Sequence, residues 1–65
     1  DKARKIKNQI IELEAEVVKL ENNLGFFNNP SRENPLLKDT FNKIDEKKVI
    51  IDNLKQSLHK IISGE

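Results

Sequence analysis

Three carboxylates at alternate positions, Glu12, Glu14 and Glu16, are the nearest this chain comes to a catalytic or metal-binding cluster. Oxygen donors of this kind suit a hard divalent cation or a proton transfer, but such sites need several oxygens converging on one point. On a helix, residues two apart point about 200° away from each other. Only Glu12 and Glu16 then share a face, and like charges there repel unless a third group joins them. The trio reads as a solvated face. His59 is the single histidine and directly follows the apolar Leu58. Asp52 stands seven residues before it, beyond the three- or four-residue spacing at which helical side chains meet. A lone imidazole without cysteine or a placed carboxylate lacks the partners that catalysis requires, so His59 reads as a half-exposed surface residue. The chain carries no phosphate-binding loop, nucleophile elbow or dinucleotide fingerprint, and Asn29-Pro30-Ser31 fails as a glycosylation sequon because its middle residue is proline. A non-enzymatic role with no cofactor and no metal is the expectation.

Binding of an anion is the other chemistry the side chains offer. Lys2, Arg4, Lys5 and Lys7 form a basic run near the start, and Lys55 and Lys60 lie near the other end. If the chain folds back on itself, these six cations gather at one end, a candidate contact for phosphate or RNA. No aromatic stands nearby to stack on a base. Glu12, Glu14 and Glu16 follow closely, a mixture of signs usual on solvated helix faces. A net charge of +1 is also far from the basic excess of a dedicated nucleic-acid domain. RNA or tRNA binding by a helical hairpin or small dimeric bundle therefore stands as the alternative function.

The elements that carry these groups follow from the apolar spacing. Ala3, Ile6, Ile10, Leu13, Val17, Leu20 and Leu24 alternate three and four apart, the a/d pattern of a coiled coil, and predict a helix over 2–24. Gly25 stands where a left-handed residue commonly ends a helix. Phe26 is then placed to close back onto Leu20, and Phe27 and Leu36 to cap the end of the core. Asn34-Pro35 is a start signal, because asparagine accepts bonds from free N–H groups and proline at the first helical position strands none. A second helix is expected over 35–62. Leu37, Ile44, Ile51 and Leu58 form one stripe seven apart; the companion stripe, Thr40, Lys47, Leu54 and Ile61, is apolar only in its second half. The nine residues between the helices, 26–34, are rich in Asn, Pro and Ser, which suit turns. The expected fold is all-α: one antiparallel two-helix hairpin, with its turn over 25–34. Pairing places Leu20 with Ile44, Leu13 with Ile51, Ile10 with Leu54 and Ile6 with Leu58. Val17 then faces Lys47, whose stem can lie along the seam while its ammonium reaches water.

Not all the apolar residues fit one seam. Ile11 and Val18 lie beside it on the first helix, and Phe41, Val49, Ile50 and Ile62 lie off it on the second. Widened apolar faces normally bury against further helices. These six residues are the expected interface, either with a second copy in a four-helix bundle or with neighbouring helices of a parent protein.

Composition agrees with a coiled coil: 35% of residues are charged and 35% apolar, and the sustained periodicity argues against disorder. No apolar run approaches the roughly 20 residues of a membrane span, so no membrane partner is expected. The absence of cysteine fits a reducing cytoplasm. The start Asp1-Lys2-Ala3-Arg4 lacks an apolar signal core and an initiator methionine, as in a fragment of a larger protein.

The stretch Leu20-Glu21-Asn22-Asn23-Leu24-Gly25-Phe26-Phe27-Asn28-Asn29, with Glu33-Asn34-Pro35-Leu36-Leu37-Lys38 and Asn42-Lys43-Ile44, resembles the C-terminal coiled-coil region of a bacterial family of unknown function. Those are long cytoplasmic proteins built of repeated charged helical units. The likeness rests on the double-phenylalanine turn and the Asn-Pro-Leu that follows. The chain departs from that family in having no tryptophan on the second helix. The resemblance implies a helical hairpin in a bacterial cytoplasmic protein and supplies no activity. The function expected from all of this is a coiled-coil interaction or oligomerisation module.

Overall fold

A computed structural model describes residues 1–27 and 30–64 as two helices, α1 (Lys2–Leu24) and α2 (Lys38–Ser63), folded back on each other. Asn28 and Asn29 of the expected turn lie outside the described residues. The molecule measures 46 × 17 × 13 Å, a rod two helices wide. No described helix is long and apolar enough to cross a membrane.

α1 begins where Asp1 caps it: the Asp1 carboxylate accepts from the Ala3 N–H at 2.9 Å, satisfying one of the donors a helix start leaves open. Its far end differs from the expectation. Gly25 has φ −63° and ψ −15°, ordinary right-handed values. Its N–H is shared between the carbonyls of Glu21 and Asn22, and the N–H groups of Phe26 and Phe27 bond Asn23 and Leu24 at 3.3 and 3.1 Å. These i→i−3 bonds tighten the last turn and satisfy the terminal carbonyls without a left-handed residue. With no reversal at Gly25, Phe26 does not turn back onto Leu20; it is 86% exposed. The one glycine with positive φ is Gly64, at 80°, which closes α2 in the left-handed manner.

α2 begins at Lys38, three residues later than the Asn34-Pro35 signal implied. Two tight turns occupy the approach. The Ser31 carbonyl accepts from Asn34 N–H, the Asn34 carbonyl accepts from Leu37 N–H at 3.0 Å, and the Asn34 side chain accepts from Leu36 N–H at 2.9 Å. Asparagine first and proline second is the composition of such a turn. The signal thus opens a turn, not the helix itself. Leu37, at φ −104° and ψ −7°, leaves the turn and starts the helix without a side-chain cap. Its carbonyl receives the first helical bond, from Phe41 N–H. This offset decides which leucine faces in. Leu37 is 2% exposed, as its place in the seam stripe implies, whereas Leu36, expected to cap the core, is 82% exposed. Phe27, also expected to cap the core, is 43% exposed and lies outside the core cluster.

The core follows the heptad spacing. Ile10, Val17 and Leu24 of α1 are buried against Ile44 and Ile51 of α2 and Leu37. Ile6, Leu13, Leu20, Phe41, Leu54 and Leu58 are partly buried around them. Lys47, within the seam stripe, takes the route its long stem allows. Its side chain is only 28% exposed, and its Nζ reaches Glu16 Oε2 at 2.8 Å.

A clasp fixes the connecting segment to α2. Arg32 donates to both Asp45 carboxylate oxygens, at 2.7 and 3.1 Å, while its guanidinium carbon lies 4.9 Å from the centre of the Phe41 ring. The two-pronged geometry suits arginine and carboxylate, and the ring face attracts the cation. These hydrogen bonds hold the Asp45 carboxyl below its ordinary range and raise the Arg32 guanidinium above its own.

Candidate interaction surface

Pairing two helices leaves two long flanks beside the seam, and the flanks carry the residues singled out above. On one flank a shallow groove is walled by Glu14 and Val18 on α1 and by Lys48, Asp52 and Lys55 on α2, with Val17 and Ile51 in its floor. On the other, Gln9, Glu12, Leu13 and Glu16 face Ile50 and Leu54. The six expected interface residues therefore do not form one patch. Ile11, 63% exposed, and Val18, 53% exposed, are seven apart and so lie two turns apart on one side of α1. Ile50 stands on the opposite flank, Val49 is exposed beside it on the outer side of α2, and Ile62 is exposed near the open end. Phe41 is half-buried against the core and covered by Arg32, so the hairpin itself uses it. Among the turn residues, Phe26, Leu36 and, to a lesser extent, Phe27 are exposed apolar groups at the tip, while Asn34 and Pro35 form the turn into α2.

The carboxylates separate in the same way. Glu14 faces Lys55 at 3.5 Å on the first flank, and Glu16 meets Lys47 on the second. Glu21 approaches Lys48 at 3.7 Å. Three α1 carboxylates thus face three α2 lysines, an arrangement that orients the helices. The pairs of Lys48 and Lys55 are largely exposed, and that of Lys47 has an exposed carboxylate, so each is worth at most about 1 kcal/mol. His59 is exposed on α2.

Of the cations expected at the open end, Lys55 is engaged by Glu14. Lys2, Arg4, Lys5, Lys7 and Lys60 have no ion-pair partner among the described residues. With successive residues about 100° apart, Lys2, Arg4, Lys5 and Lys7 ring the first two turns of α1 and do not line one face. Only Arg4 and Lys7 fall on the side of α1 that carries Ile11 and Val18. Sequence reasoning did not anticipate the Arg32 clasp, which depends on the path of the connection, nor the Asp1 cap, which the Asp-Lys-Ala start does signal.

No family model matches this chain, and no curated protein and no solved structure matches it either.

Proposed function

We propose that this hairpin is a non-enzymatic coiled-coil interaction or oligomerisation module of a larger bacterial cytoplasmic protein. The observation that carries the reading is the pair Ile11 and Val18, two turns apart and both more than half exposed on a helix whose own seam is already filled. Apolar residues repeated at helical spacing outside a filled seam are what a further helix covers. The supporting consideration is size: a two-helix core this small contributes only a few kcal/mol, so added helices raise its stability substantially. The covering helices belong to a second copy, giving a four-helix bundle, or to neighbouring segments of the parent chain. Likeness of the double-phenylalanine turn to the tails of bacterial coiled-coil proteins favours the same class of role.

Sedimentation equilibrium of the 65-residue chain tests the reading. Association in the micromolar range that is abolished by Ile11→Lys together with Val18→Lys supports it; a fully helical monomer at high micromolar concentration overturns the self-associating form. The RNA-binding alternative has in its favour Lys2, Arg4, Lys5, Lys7 and Lys60, which pair with no carboxylate among the described residues. It requires retention on RNA at low salt that weakens when Lys5, Lys7 and Lys60 are neutralised.

A further inference from the structure

The uncovered side of α1 is itself a second stripe with coiled-coil spacing. Arg4, Lys7, Ile11, Glu14, Val18 and Glu21 alternate three and four apart. Read along the helix, the stripe begins cationic, is apolar around its middle and ends acidic. We infer that a second copy of this chain covers this stripe, with the two α1 helices antiparallel about a two-fold axis beside Glu14 and Ala15. The inference rests on the module reading above and names its partner and register.

Two-fold pairing sets the same patch on both chains against itself, so whatever residue i meets, its counterpart meets in return. In a parallel arrangement Lys7 would face Lys7 and Glu21 would face Glu21, both repulsive. In the antiparallel one, Lys7 faces the partner's Glu21 at each end, and Ile11 faces the partner's Val18 between them. The ionic pair and the apolar pair call for nearly the same axis: Lys7 and Glu21 lie symmetrically about Glu14, and Ile11 and Val18 about the Glu14–Ala15 bond, about 0.75 Å further along the helix. Two independent pairings whose centres fall within about 1 Å of each other are the argument for this register. Lys7 and Glu21 stand about 21 Å apart along the helix, so the ion pairs bracket the apolar layers like the rim of a small interface.

The groups are free to do this. Arg4 and Lys7 have no carboxylate in reach among the described residues, and Glu21 is held only by an exposed Lys48 at 3.7 Å. Glu14 approaches its own copy at the axis, where repulsion opposes pairing. Each Glu14 is accompanied by its own Lys55 at 3.5 Å, which offsets that repulsion. Ala15 beside it has no bulk to hold the helices apart.

Sedimentation equilibrium at low salt on charge-reversed chains decides the matter, with helicity checked by circular dichroism. Lys7→Glu and Glu21→Lys should each weaken dimerisation by about tenfold, since each turns two attractive pairs repulsive. The doubly reversed chain, and an equimolar mixture of the two single variants, should recover affinity to within about threefold. Cysteine substitution gives a second readout in a chain that has no cysteine: Ala15→Cys should cross-link to its own copy on mild oxidation, and Lys7→Cys should not. If the chain associates but reversal neither weakens nor restores it, or if Lys7→Cys cross-links as readily as Ala15→Cys, this arrangement is wrong while the module reading stands. If the unmodified chain does not associate at high micromolar concentration, this arrangement and the self-associating form of the module fall together, and cover by neighbouring helices of the parent chain is left.

Discussion

Replacing Lys47 by leucine should make the hairpin more stable, although it removes the shortest interhelical ion pair among the described residues. Lys47 lies in the seam stripe with its side chain 28% exposed, so a leucine there would be about as covered. Full burial of a leucine side chain is worth about 1.5–3 kcal/mol; at this coverage about 1–2 kcal/mol is available, some of which the lysine stem already supplies. Against this stands the bridge to Glu16, whose side chain is 52% exposed and returns to water at little cost. Pairs of this exposure contribute at most about 1 kcal/mol. The balance favours leucine by about 0.5–1 kcal/mol. Lys47→Ala, which loses both stem and bridge, should cost about 1 kcal/mol. Thermal and urea denaturation followed by far-ultraviolet circular dichroism, at one fixed protein concentration, measures both; in a chain this short 1 kcal/mol moves the midpoint by about 4–8 °C. Leucine should gain more in a Glu16→Gln background, where the bridge is already weakened. A lowered midpoint for Lys47→Leu, or equal losses for leucine and alanine, would show that this side chain does not lie along the seam.

Gly25→Ala should change stability by less than about 1 kcal/mol, because at φ −63° alanine fits the backbone and gains from a less flexible unfolded chain, while its Cβ would sit a tight 3.1 Å from the Asn22 carbonyl oxygen; a larger loss in chemical denaturation would point to a left-handed Gly25. Leu37→Ala should cost about 2–5 kcal/mol, enough to unfold much of the chain, whereas Leu36→Ala should lie within about 0.5 kcal/mol of the parent; comparable losses at both sites would contradict the turn that precedes α2. The Asp45 carboxyl should titrate below the usual carboxylate value of about 3.9 and move back toward it in Arg32→Ala, as read by NMR. Because the folded value is depressed, the clasp's contribution is complete above about pH 4 and is lost as pH falls through that folded value.

What was legible in the chain was what repeats. Every a/d residue of α1 reports the same helix face, so the seam and the bounds 2–24 could be read without knowing the partner helix. Features decided at a single place were less legible. A glycine after a helix is compatible with a left-handed cap or with a tightened right-handed turn, and the backbone bonds of Phe26 and Phe27 choose between them. Asn34-Pro35 suits a helix start and a tight turn equally; the turn delays α2 by three residues and leaves Leu36 outside the core. Surplus aliphatics were visible as a set, but their division between two flanks depends on angle about each helix axis, which spacing along the chain conveys only when each phase is worked out. The Arg32 clasp joins residues thirteen apart through a non-helical path, and no periodicity announces it.

The antiparallel fold also sets how the hairpin meets mechanical load. Asp1 and Gly64 lie side by side at one end, so tension applied through the chain on either side pulls the helices apart transversely. The layers then open in succession, beginning near Ile6 and Leu58, and each yields before the next is strained. Resistance is greatest at the far end, where Leu24 and Leu37 are buried and the Arg32 clasp braces the connection. A hairpin loaded this way gives at low force, keeps its tip joined, and re-closes from that tip through contacts between residues near in the chain, the ones quickest to form.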